Sequence, residues 1–284
     1  MPTQKAKRAS ADSPDSEANL RPQSLIFTLL AEHMLDRDLA VFAGSFIEVL
    51  GRVGVGEHAT RATLVRMVER ELLEGQRHGR KIYYRMTPRL VAILNGGRER
   101  IWHTGVVNTR EDSAWTMLTF SLPETLRKKR HDLRARLTWA GFGPMQNGVW
   151  LAPSELDVTP IIAELDLGEQ VRVFHAKAVS PTIPGSVIRD TFDLESLAKR
   201  YRAFAAHWQH RNARTESDAL VLTLRLSTEW LRIIRDDPRV PVHLLPPLWP
   251  AIEAQRLFRS LHGTHRKASE ALANKLLDTV EPKR

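Results

Sequence analysis

GEHATRATLVRMVERELLEGQRHGRKIYYRM, from Gly56 to Met86, is the stretch that decides the fold. Its first half reads as a helix over about Glu57 to Glu71. Thr60, Thr63, Leu64, Met67 and Val68 recur at helical spacing and form one side, the side for a core. His58, Arg61, Ala62, Val65 and Arg66 form the other. That second side is what a helix needs to read a DNA groove: guanidinium forks for guanine edges and phosphates, with short side chains allowing close approach. The second half reads as a hairpin. Ile82, Tyr84 and Met86 alternate with Lys81, Tyr83 and Arg85, a period of two, and Gly79 supplies the turn. Arg77, Arg80 and Lys81 sit at the tip. A basic hairpin directly after such a helix is the wing of a winged helix, its tip placed against phosphates or in a minor groove. The alternative is a solvated hairpin whose Lys and Arg protect its edge.

Upstream segments fit the same order. Leu25, Leu29 and His33, with Ile26, Leu30 and Met34 beside them, predict a buried first helix behind Ser24 as a cap. Phe46, Val49, Leu50 and Val53 mark a second helix over Ser45–Val53. The glycines at 51, 54 and 56 then read as a tight inter-helix turn. They lack the G-x-G-x-x-G order of a dinucleotide site and follow a helix rather than a strand. Thr87-Pro88 opens a connecting helix, which Gly96-Gly97 is expected to interrupt before Arg98–Trp102. Residues 1–20 are rich in Ser, Ala, Asp and Pro and read as a disordered tail.

The rest of the chain has a different rhythm. Trp115–Leu122 reads as a strand, Pro123–Ala140 as a helix and Gly141–Ala152 as a hairpin about Asn147-Gly148. Glu155–Leu165 reads as a helix and Val171–Ala176 as a strand. The order βαββαβ is the ferredoxin-like pattern, which names no function. From Asp193 the chain reads as helices near Leu194–Gln209, Ser217–Arg235 and Pro250–Val280. The fold class is therefore α+β: an N-terminal winged helix-turn-helix domain (21–102), a central ferredoxin-like domain (103–180) and a helical C-terminal domain (181–284).

Composition narrows the function. The 284 residues hold no cysteine, which excludes disulfide scaffolds, thiolate zinc sites, iron–sulfur clusters and cysteine nucleophiles. No apolar run approaches the ~20 residues a membrane helix needs, and the N-terminus lacks a secretory apolar segment, so a cytoplasmic protein is expected. The formal charge is +9, and Arg52–Arg89 alone carries nine basic groups against four acids, which points to a polyanion partner. Arg127-Lys128-Lys129-Arg130 is a second basic run, readable as a phosphate grip or as a solvated face. His207 with His210, and His262 with His265, stand three apart on helices, a spacing that metal sites use, but neither pair has a third ligand nearby in sequence. No nucleophile-elbow, Walker or zincin motif is present. The reading is of a non-enzyme with no catalytic residue, cofactor or metal. A metal-dependent nuclease built on the ferredoxin-like domain is the alternative; the strand Ala114–Ser121 holds no carboxylate for its ion. A third reading, which draws its ligand from the family resemblance given below, is an acyl-CoA sensor acting through a protein partner.

Several segments together resemble the PaaX family, repressors of phenylacetic acid degradation. They are Ser24–Leu30, Ala43–Leu50, Gly56–Met67, the wing Arg77–Tyr84, Trp139-Ala-Gly141-Phe142-Gly143, Asp237-Pro238 and Leu244-Leu245-Pro246 with Trp249. The resemblance covers about residues 22–270. It implies a homodimeric transcriptional repressor on a palindromic double-stranded DNA operator, released by an aromatic acyl-CoA such as phenylacetyl-CoA. It places Arg61 and Arg66 on the recognition-helix arginines, and Arg77, Arg80 and Lys81 on the wing's basic residues. The chain departs from the family pattern at Glu111–Trp115, at Val65 and at Glu71-Leu72-Leu73. Arg127, Lys128, Lys129 and Arg130 are the candidates for the effector's phosphates.

Overall fold

The computed structural model describes residues 20–106, 108–109, 114–146 and 148–282. The N-terminal tail, most of Glu111–Trp115 and Asn147 of the expected Asn-Gly turn lie outside them.

Helix α1 (Pro22–His33) starts two residues before the expected Ser24 cap, because Pro22 already has the dihedral a first helical turn requires. It buries Leu25, Ile26, Leu29 and Leu30. A strand with no sequence signal, β1 (Ala40–Phe42), precedes α2 (Ala43–Arg52). Gly51 stays inside α2, and the turn falls at Gly54, whose φ of +95° suits a residue without Cβ. Next come α3 (Glu57–Glu69), β2 (Leu73–His78), β3 (Lys81–Met86) and α4 (Pro88–Glu99). Thr87 caps α4, its Oγ1 accepting the Leu90 N–H. The expected break at Gly96-Gly97 does not occur. The helix runs through both glycines, packed near Trp139 and Leu231, and passes into a π-helical turn, Arg100–Thr104.

The central segment runs β4 (Trp115–Phe120), α5 (Arg127–Ala140), β5 (Gly143–Gln146), β6 (Val149–Ala152), α6 (Thr159–Leu165) and β7 (Val171–Ala176). The sheet order is β5-β6-β4-β7, every neighbour antiparallel, so two βαβ units interlock. Leu133 and Leu137 of α5 pack on Leu118, Trp150 and Val171. Helix α6 starts four residues later than its sequence pattern, where Pro160 enters the first turn and the Asp157 carboxylate accepts the Thr159 N–H.

The last third holds α7 (Pro184–Thr191), unread in the sequence, then α8 (Leu194–Trp208), α9 (Glu216–Ile234) and α10 (Ala251–Leu276). Trp230 and Phe258 stack at 5.0 Å inside it. The expected helix through Val280 stops at Leu276. Residues Thr279–Val280 form β8 instead, which pairs with β1 to give a sheet of order β2-β3-β1-β8. The core beneath α1–α3 also contains Leu220 and Leu224 of α9, and Ala273 and Leu277. Each fully buried leucine of this set stabilises by about 1.5–3 kcal/mol, so α1–α3 and the segments at 220–224 and 273–277 share one core.

The three parts meet at Arg100. Its Nε donates to the Ile234 carbonyl at 2.9 Å, one Nη to the Asp237 carbonyl at 2.5 Å and the other to the Trp139 carbonyl. The guanidinium lies 4.9 Å from the Trp139 ring. Tyr201 donates to the Asp237 carboxylate, which also accepts the Arg239 N–H at 2.7 Å. Gly141 (φ +101°) passes so close that a Cβ there would lie 3.1 Å from the Pro238 carbonyl. Burial pulls the Arg100 pKa down to about 10, which leaves it charged at neutral pH.

Candidate nucleic-acid interface

Helix α3 divides as its sequence implies, with one correction. Thr60, Thr63, Leu64 and Met67 are buried, but Val68 is exposed because it turns past the edge of the core. His58, Arg61, Val65 and Arg66 are exposed and Ala62 is half-buried, so they share the outward side. The helix holds this register through inward hydroxyls: Thr60 donates to the Gly56 carbonyl and Thr63 to that of Ala59. Arg61 is paired with Glu57 at 2.8 Å, and Arg66 donates to Thr63 Oγ1 at 3.0 Å. Both arginines are therefore laid along the helix surface. An exposed i,i+4 pair holds by only ~0.3–0.5 kcal/mol, so a phosphate or a base edge displaces it easily.

The hairpin leaves the C-terminal end of α3 through Glu71 (φ +56°), with the Leu72 N–H bonded to the Met67 carbonyl. His78 faces Lys81, so Gly79 and Arg80 make a two-residue turn, Gly79 having φ +60°. Arg77 Nε donates to the Gly79 carbonyl and stiffens the tip. Arg77, Arg80 and Lys81 are all exposed. The alternation in β3 is not a simple in-and-out. Ile82 is 48 % exposed, while Tyr83 on the same strand is buried against Phe42 and His78.

Lys81 is not a free cation. Its Nζ lies 2.8 Å from Asp278 Oδ2 and 4.6 Å from the Phe42 ring centroid. Tyr83 donates to the same carboxylate at 3.2 Å. The Lys81 hydrogen bond holds the Asp278 carboxyl below the usual carboxylate range, and Asp278 in turn raises Lys81. Asp278 escaped sequence reasoning, as it lies 197 residues from Lys81 and follows a helix expected to continue through it.

The run at 127–130 separates. Lys129 reaches Asp166 at 3.4 Å, and Arg130 binds Glu124 and the Leu122 carbonyl. Arg127 and Lys128 point to solvent. His207 packs edge-on to Trp208. His262 lies edge-on to Trp102 and 3.4 Å from Glu32, and no three metal-type ligands converge among the described residues. No helix among them is long and apolar enough to cross a membrane.

Three family profiles match the chain in succession. A PaaX-like protein profile covers residues 21–90, the PaaX protein central Cas2-like domain 108–188 and the PaaX-like protein C-terminal domain 192–275. The chain belongs to the PaaX family. It is 25 % identical over 264 residues to the transcriptional repressor PaaX of Escherichia coli strain K12, a match spanning 88 % of this chain and 81 % of that one. Among solved structures, uncharacterized protein Rv0674 from Mycobacterium tuberculosis shares the fold, with a TM-score of 0.57 at 22 % identity over 89 % of this chain and 99 % of that one. The first profile ends inside α4, the second begins after the π-helical turn and the third begins at Phe192, between α7 and α8.

Proposed function

We propose that this PaaX-family protein is a DNA-binding transcriptional repressor. In this reading residues 21–102 form a winged helix-turn-helix domain and 103–180 a ferredoxin-like domain, with 181–284 as the C-terminal domain. Helix α3 enters the major groove with Arg61 and Arg66 toward base edges and phosphates, and with His58, Ala62 and Val65 against the groove walls. Arg77 and Arg80 set the hairpin tip on the flanking backbone, with Lys81 joining them once Asp278 lets go. A homodimer places two such units on a palindromic operator, and an aromatic acyl-CoA such as phenylacetyl-CoA releases them. The observation that carries the reading is the exposed, basic side of α3 continuous with a basic two-residue turn. The relative named as a repressor supports it.

The test is a fluorescence-anisotropy titration of the protein on its own promoter region, with and without phenylacetyl-CoA. Tight, salt-sensitive binding relieved by the thioester but not by free phenylacetate is expected. Binding that ignores the thioester removes the effector and keeps the repressor. Absence of a preferred site removes both.

A further inference from the structure

Helix α5 carries six basic residues and one acid, Asp132. Three of the six are tied inward or sideways: Lys129 to Asp166, Arg130 to Glu124, and Arg136 to Glu164. Arg127, Lys128 and Arg134 have no acidic or hydrogen-bonding partner among the described residues, and all three are exposed. At 1.5 Å per residue, Arg127 and Arg134 lie about 10 Å apart along the helix axis, with the exposed His131 between them. Successive phosphates on one DNA strand are spaced by a similar order, so the row can meet two or three of them.

The central segment that carries these cations adjoins the DNA-reading surface. Arg89 of α4 donates to the carbonyl of Arg70, the residue that ends α3. Arg89 also lies close enough to Glu164 for its charge to be felt there, beside the stronger hydrogen bond from Arg136 of α5. Arg66, Arg70 and Arg89 are exposed, and Arg89 carries this basic surface to the α6 side of the central domain. The outer face of a helix suits a polyanion, which binds by releasing counterions and needs no burial. A small ligand needs a concave site.

We propose that the exposed cations of α5, Arg127, Lys128 and Arg134, are a second, sequence-independent contact to the DNA backbone, separate from the one on α3. This rests on the DNA-binding reading above and extends it to the central domain.

The test compares four proteins on two 40-bp duplexes, one from the protein's own promoter region and one of scrambled sequence, between 50 and 200 mM salt. They are the wild type, R127Q/K128Q/R134Q, R61A/R66A, and K199Q/R202Q/K267Q as a control of equal charge change on other exposed helix faces. With ~0.9 in slope per phosphate contact, the α5 variant is expected to lose about 2–3 from the slope of log K against log salt. Its affinity at 0.1 M salt falls at least about tenfold on both duplexes, with the preference between them unchanged. R61A/R66A is expected instead to lose the preference. The proposal is overturned if the α5 variant matches the wild type, or if the control variant falls as far. A wild type that binds neither duplex overturns the DNA-binding reading itself.

Discussion

Replacing Arg100 with Leu removes a side chain that ties the end of α4 to α5, α9 and the loop after α9. Three main-chain carbonyls, those of Trp139, Ile234 and Asp237, lose their charged donor, and the Trp139 ring loses the cation on its face. The buried Asp237 carboxylate also loses one of the two guanidinium charges, with Arg239, that offset its burial. Breaking a buried, hydrogen-bonded charge arrangement by deleting one partner costs about 3–5 kcal/mol. The stacked cation adds about 1–2 when desolvated. Burial of the new leucine returns about 1.5–3. These terms share atoms and do not sum, so a net loss of about 3 kcal/mol is expected. Urea unfolding followed by circular dichroism or by the summed fluorescence of the seven tryptophans reads it as a fall in the midpoint. Arg100→Lys separates charge from geometry: an ammonium restores the charge but cannot hold three divergent carbonyls, so it recovers less than half of the loss. A loss under about 1 kcal/mol in R100L, or full recovery in R100K, refutes the reasoning.

Arg61→Ala or Arg66→Ala is expected to cost about 1–3 kcal/mol of operator affinity if the side chain reads a base; equal losses on operator and scrambled duplex point to phosphate contact instead. Asp278→Asn frees Lys81, so non-specific DNA binding should tighten several-fold and its salt slope rise by about one; unchanged binding shows that the clamp does not compete with DNA. Burial keeps His33 neutral in the fold, lowering its pKa from 6.5 against the pull of Glu32 and Glu270 and with the help of Arg37 and His262. The unfolded chain therefore takes this proton first. The His33 contribution is complete above pH 6.5 and is lost as pH falls below it, with a slope of at most about 1.4 kcal/mol per pH unit. Denaturation midpoints between pH 7.5 and 5 measure this, and His33→Gln should flatten the curve.

What the sequence made legible was local. The three helices before the hairpin, and the βαββαβ order after it, follow from periodicity and turn residues acting within about fifteen positions. Gly96 and Gly97 misled for a physical reason. Their helix cost of ~1 kcal/mol each is overridden where Trp139 and Leu231 approach from other elements, and only tertiary packing reveals that. Strands β1 and β8 are three and two residues long and lie 236 residues apart, so neither carries a period. In the run 127–130, charge was readable but pairing was not, since Asp166 and Glu124 claim the last two members from elsewhere in the fold.

The closing of the chain on itself bears on how a repressor of this build is regulated. Leu220, Leu224, Ala273 and Leu277 belong to the same core as the inner side of α3, and β8 with Asp278 reaches the hairpin. The position of α3 and the freedom of Lys81 therefore depend on how α9 and α10 are packed. The seam between them and α1 is partly polar, with Thr28 bonded to Thr228 at 2.8 Å. A buried hydroxyl that loses its partner costs about 1–3 kcal/mol, so this pair favours one packing of α9 against α1 over its neighbours. A ligand that prefers one packing of α9 and α10 shifts the reader by no more than its own affinity ratio for the two packings. By the same linkage, DNA on α3 must weaken or strengthen that ligand by an equal factor. Coupling of this kind needs no pocket in the reading domain, only a terminus folded back upon it.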